Sequence, residues 1–190
     1  ITIWVVLLLS SFFLLRYFPL PVSSDTLGWL FVAQSNPSPA WILAILLHEN
    51  IFHLVGNVGQ FLYFGIVPER RLSTIEYVGF LVVTGVITTL LQVVQYLFRG
   101  VEGGMAGASG ASMSVMGFTV AYIGLYYFGQ VDDPEIYSSR FAIFAFGIGW
   151  AIIQTISDFY PGWTLAADAS GIAHLSGFLL GTVFAYLKIR

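Results

Sequence analysis

Six long apolar runs, each closed by charged, proline or glycine residues, divide the chain. The first covers roughly residues 3–15 and ends at Arg16 and Pro19-Leu20-Pro21; the second covers roughly 42–67 and stops at Pro68-Glu69-Arg70-Arg71. The third, roughly 75–98, ends at Arg99-Gly100, and the fourth runs from Ser109 to about Phe128. The fifth and sixth cover roughly 141–156 and 171–187, and the sixth closes on Lys188 and Arg190. A helix needs about 20 apolar residues to cross a bilayer. The pattern therefore predicts an all-α membrane protein, a single domain over residues 1–190 folded as a polytopic bundle of six transmembrane helices. No soluble domain, low-complexity tract or repeat stands out. The first run reads as a span rather than a signal peptide, since no basic segment precedes it and no small-residue cleavage site follows. Ile1 in place of a methionine leaves room for residues upstream. The long first connection carries Asp25, Trp29, Asn36-Pro37-Ser38-Pro39 and Trp41. It is still apolar enough to lie partly in the membrane interface, and its length is more typical of a functional loop than of an idle one.

Composition supports the same class. The chain is 57% hydrophobic and 9% charged, against about 25% charged in soluble domains. The net charge of −3 comes without any basic cluster, which argues against nucleic acid as a partner. Cys 0 excludes disulfides, thiolate metal sites and cysteine nucleophiles. With six spans, Arg70, Arg71, Arg140, Lys188 and Arg190 fall on one side, and Arg16 and Arg99 on the other. Basic residues favour the cytoplasmic side. The C-terminus and chain start are thus expected in the cytoplasm, with the cell membrane as the host.

Polar residues inside the apolar runs carry the candidate chemistry, because burying them in a membrane is costly. His53 and Asn57 are four apart, about 40° around a helix, and share a face; Asn50 falls on the same stripe. Ser109 opens the fourth run among small residues, Gly107-Ala108-Ser109-Gly110, at a helix start where backbone N–H groups lack helical partners. His174 lies about one turn into the sixth. Runs two, four and six all descend from the outer side, so these residues reach similar depth near the outer leaflet. A packing role for the Gly/Ala/Ser run and structural hydrogen bonding by single histidines are the plain alternatives. Metal binding by His48-Glu49 and His53 is disfavoured, because a spacing of five turns two helical histidines about 140° apart. A serine, an imidazole able to take its proton, and amide and imidazole donors for an oxyanion form a nucleophilic set.

With these motifs the sequence resembles the rhomboid family of intramembrane serine proteases. The matching pieces are Gly107-Ala108-Ser109-Gly110, His53 with Asn57, and Ala173-His174-Leu175-Ser176-Gly177, in that order on the second, fourth and sixth spans. Glu69-Arg70-Arg71 and His48 match further family positions. The resemblance implies Ser109 as nucleophile and His174 as general base, without a third acid; Asp158 and Asp168 fall outside the spans or at their rim. It implies an oxyanion hole of His53, Asn57 and the Ser109 backbone N–H. No cofactor or metal is implied; the partners would be transmembrane protein substrates and membrane lipid. Cleavage would occur near the outer face, with substrate entering beside the fifth span and the Pro161-Gly162-Trp163 loop. The alternative is a catalytically inactive relative that binds transmembrane helices as a chaperone or adaptor. A transporter would show paired mid-depth charges or broken helices in both halves, and neither is present. Two positions depart from the family: Met113 stands where many bacterial members have an aromatic residue, and Trp41 is followed by Ile42 rather than arginine.

Gly177, Gly181 and Ala185 lie within about 60° of His174 on a helix. This stripe should let spans four and six approach closely. Leucine at Gly181 should hold them apart, with alanine milder.

Overall fold

The structure, a computed structural model, describes residues 1–15, 45–48, 50–99, 107–130, 140–159 and 171–189. Among these the elements are helices only: α1 (Thr2–Leu15), α2 (Ile51–Phe64), α3 (Ile66–Arg71), α4 (Thr74–Arg99), α5 (Ser109–Tyr127), α6 (Arg140–Phe159) and α7 (Gly171–Ile189). The long first connection, the glycine-rich stretch before Gly107, the acidic connection at 132–135 and the Pro161-Gly162-Trp163 loop lie outside the described residues.

Helix α5 is the axis of the bundle. Every residue from Gly110 to Val120 is buried, so its polar groups are satisfied internally. Ser114 Oγ donates back to the Gly110 carbonyl at 2.9 Å, and Thr119 Oγ1 donates to the Phe64 carbonyl of α2 at 2.7 Å. Phe61, Phe64, Tyr77, Phe80, Met113, Met116 and Phe118 fill the surrounding core.

Contacts along α5 fix the direction of its neighbours. Ser112 meets Asn57 and Gln60, and Thr119 meets Phe64, so α2 runs parallel to α5. Gly177 lies on Gly110 and Gly181 on Ser114, so α7 is parallel as well. Helix α4 returns the other way, with Thr88 against Gly110 and Phe80 beside Phe118. Helix α6 is also antiparallel, with Gly147 against Val120 and Phe144 beside Gly124. The N-terminal ends of α2, α5 and α7 therefore share one end of the bundle. The opposite end holds the Glu76–Lys188 ion pair. It also holds the start of α1, where the Thr2 N–H donates to Glu69 Oε2 at 3.1 Å.

The second apolar run differs from its expected form. It was expected to be helical from residue 42, but α2 starts at Ile51 because the Asn50 side chain caps it, accepting from the His53 N–H at 2.9 Å. Ile45 to His48 precede the helix. Asn50 is thus a cap and not a member of the polar stripe. The run also does not stop at Pro68: α3 continues through Pro68-Glu69-Arg70-Arg71, with proline in its first turn, where no helical N–H is needed.

Among the described residues, two helices are long and apolar enough to cross a membrane, Thr74–Phe98 and Gly171–Ile189. Thr2–Leu14 and Ala142–Ile153 are apolar but shorter. Helix α2 has 14 residues, below the roughly 20 that span hydrocarbon. Helix α5 is rich in small and hydroxyl residues, which suits a helix enclosed by protein rather than lipid.

Candidate active site

The loop entering α5 is shaped around His53. Gly107 has φ +116°, a left-handed conformation that side chains rarely adopt. A Cβ there would fall 2.6 Å from His53 Cε1, 2.7 Å from Nε2 and 3.5 Å from Asn57 Nδ2. Only glycine lets this backbone close on the imidazole. Two residues later Ser109 begins α5. It is partly exposed while the residues that follow are buried. The cap residue Ala108 has no side-chain acceptor for the first-turn N–H groups, which points donors at the serine's surroundings.

His174 arrives from the other side. Its helix begins against α4, where the Ala173 N–H donates to Gln92 Oε1 at 3.1 Å and Gln92 is wholly buried. One turn further on, a Cβ on Gly177 would lie 2.3 Å from the Gly110 carbonyl oxygen. That backbone contact brings the buried His174 to the level of Ser109. Gly177, Gly181 and Ala185 are all buried, as the stripe predicts. Met113 is buried in the same seam, its Cβ 3.2 Å from the position a Gly177 side chain would take.

Asn57 is held more firmly than its spacing from His53 suggests. It is buried, and its Nδ2 lies 2.9 Å from His48 Nε2. The amide nitrogen can only donate, so His48 accepts at Nε2 and carries its hydrogen on Nδ1. The His48 and His53 rings meet edge to face, centroids 5.1 Å apart. The helical-face argument against their joint action therefore fails, because His48 precedes α2 and is not on it. Its Nε2 is already committed to Asn57. Among the described residues no group of three or more His, Asp or Glu side chains could hold a metal ion.

The structure thus gathers all four sequence-derived residues, Ser109, His174, His53 and Asn57, at the shared N-terminal end of α2, α5 and α7. Sequence reasoning missed the supports Gln60, Gln92 and Ser112, and it named His48 as a family position without finding its bond to Asn57. The side chain of Asp158 and all of Asp168 lie outside the described residues. Replacing Gly107 by alanine should expel the His53 ring and strain the loop. With His53 in the oxyanion role that the resemblance implies, turnover is expected to fall about a hundredfold, the cost of removing one such donor. Steady-state cleavage by G107A measures this, and a wild-type rate would show the loop does not constrain His53.

The Rhomboid domain family model matches residues 38–190 of the chain, a stretch that includes every residue of this site. No curated protein matches it. With helices only among the described residues and the family match over most of its length, the chain belongs to the rhomboid family of integral membrane proteins.

Proposed function

We propose that the chain is an intramembrane serine endopeptidase that cuts membrane-anchored proteins with a Ser109–His174 dyad. The family contains both proteases and inactive members. The observation that carries the protease reading is the convergence of a partly exposed serine, a buried imidazole at its level, and two donor side chains on a third helix.

In this mechanism neutral His174 takes the Ser109 hydroxyl proton as Oγ attacks the scissile carbonyl. The Asn57 amide, the His53 imidazole and the Ser109 N–H stabilise the resulting oxyanion. His174 then protonates the leaving amine, and the peptide bond breaks to leave an acyl ester on Ser109. Water, deprotonated by His174, attacks that ester and releases the acid product and the serine. A neutral histidine can act as base without a carboxylate, though less strongly. The substrate helix must unwind locally, since a helical peptide bond has its carbonyl hydrogen-bonded and its backbone shielded. Six crossings of the cell membrane, a cytoplasmic C-terminus, a site toward the outer face and substrate entry beside α6 complete the proposal.

A labelled fluorophosphonate tests it directly. Wild type is expected to label covalently and Ser109→Ala not at all. A folded wild type that fails to label would favour an inactive, helix-binding relative.

A further inference from the structure

Ser112 lies one turn into α5 and is wholly buried. Its Oγ is 2.7 Å from Gln60 Oε1, 3.0 Å from the Ser109 carbonyl oxygen and 3.3 Å from Asn57 Oδ1. A hydroxyl has one hydrogen and two lone pairs, so it cannot donate to three acceptors at once. The two ends of a carboxamide have the same shape and are told apart by their partners. With the Gln60 amide turned end for end, its Nε2–H donates to Ser112 Oγ, and the serine hydrogen is released toward Asn57 Oδ1. On the far side of Asn57, Nδ2 donates to His48 Nε2 at 2.9 Å. Donation then runs one way, from Gln60 to Ser112 to Asn57 to His48.

We infer that Ser112 and Gln60 are positioning residues that fix which end of the Asn57 carboxamide faces the reacting carbonyl. This rests on the oxyanion role proposed above for Asn57. With Oδ1 held by the serine hydroxyl and one N–H held by His48, the second Nδ2 hydrogen is directed toward the loop at Gly107. There Nδ2 comes within 3.5 Å of the position a Gly107 Cβ would occupy. Turned over, Asn57 would present a carbonyl oxygen to a developing negative charge and repel it. The transition state would lose a donor while the substrate's ground-state contacts stayed the same. The effect therefore belongs in kcat and not in KM.

A double-mutant cycle on the full chain in detergent, with a fluorogenic transmembrane substrate, tests the inference. Asn57→Ala should lower kcat about a hundredfold, the loss typical of one oxyanion donor. Ser112→Ala should lower it about tenfold, the loss that follows if the released amide is inverted about nine-tenths of the time, with KM within about twofold of wild type. The double variant should be no slower than Asn57→Ala, since Ser112 acts only through that amide. Gln60→Met, similar in length but without a donor, should reproduce the Ser112→Ala loss. Because Gln60 is only partly buried, this variant keeps the test independent of any folding defect at Ser112. Losses that multiply in the double variant, or a wild-type kcat in Ser112→Ala or Gln60→Met, would overturn the inference and leave the protease reading standing. A wild-type kcat in Asn57→Ala would overturn the oxyanion role and the inference with it. A wild type that neither cleaves nor labels at Ser109 would overturn the protease reading itself.

Discussion

Ser109→Ala should abolish cleavage of a membrane-anchored substrate, a loss of at least about 10⁴-fold, while the protein remains folded. Removing the nucleophile of a serine protease leaves only the acceleration supplied by binding and the oxyanion hole. The Ser109 atom nearest the bundle's polar chain is its carbonyl oxygen, 3.0 Å from Ser112 Oγ, and alanine keeps that carbonyl. Ser114→Ala is the matched control. Its hydroxyl only bonds back to the Gly110 carbonyl within α5, so activity should stay near wild type. Ser112, two residues earlier, is not an equivalent control because it holds Asn57. Gel-based cleavage and a melting curve on the same preparation decide the matter. A folded Ser109→Ala protein that still cuts at a normal rate would rule out the dyad.

The second large effect is expected at Gly181. A Cβ there would lie 1.9 Å from the Ser114 carbonyl oxygen and 2.8 Å from the Phe118 nitrogen. Both are backbone atoms of α5, so no side chain can move aside. Alanine alone must therefore push α7 away from α5, so even the milder of the two substitutions is expected to be harmful. Overpacking of this kind costs about 1–3 kcal/mol and sometimes more, or a fall in Tm of about 2–12 °C. About 1 Å of misplacement between His174 and Ser109 can cost around a hundredfold in rate. Gly181→Ala should thus lose stability and activity together, and Gly181→Leu more of both. Leu180→Ala should spare catalysis, since Leu180 is partly exposed and faces a groove between α4 and α7. If Gly181→Ala kept wild-type activity and Tm, the α5–α7 contact would not set the site.

The parts of the molecule differ in how far residues alone reveal them. Ser109, His174, His53 and Asn57 stood out because polar side chains in apolar runs need a reason. The small stripe on α7 followed from helical angles within one helix. The severity at Gly181 did not, because it depends on how close a second backbone comes. The Asn50 cap was missed because the polar step His48-Glu49-Asn50 is short and has apolar residues on both sides, so it reads as part of one run. His48 was misjudged for the same reason: a helical wheel was applied to a residue outside the helix. Gln60 and Ser112 look like ordinary helical polar residues until the register of α2 against α5 places them together. The number of crossings is the least legible feature, because a helix enclosed by protein, as α5 is, no longer needs a lipid-compatible composition.

The shared direction of α2, α5 and α7 has a consequence for when the proposed enzyme becomes active. Helices that run the same way must be separated in the chain by helices that return, so the contributors lie far apart, at 53–57, 109 and 174. Synthesis proceeds from the N-terminus at about 5–20 residues per second. The nascent chain therefore carries the serine and its oxyanion donors for several seconds before the base is made. Until α7 inserts, the Gly110 and Ser114 carbonyls of α5 lack the close contact with Gly177 and Gly181, and the hydroxyl lacks the imidazole that α7 carries. In the proposed mechanism α7 brings the base, so a chain interrupted before Gly171 is expected to lack proteolytic activity.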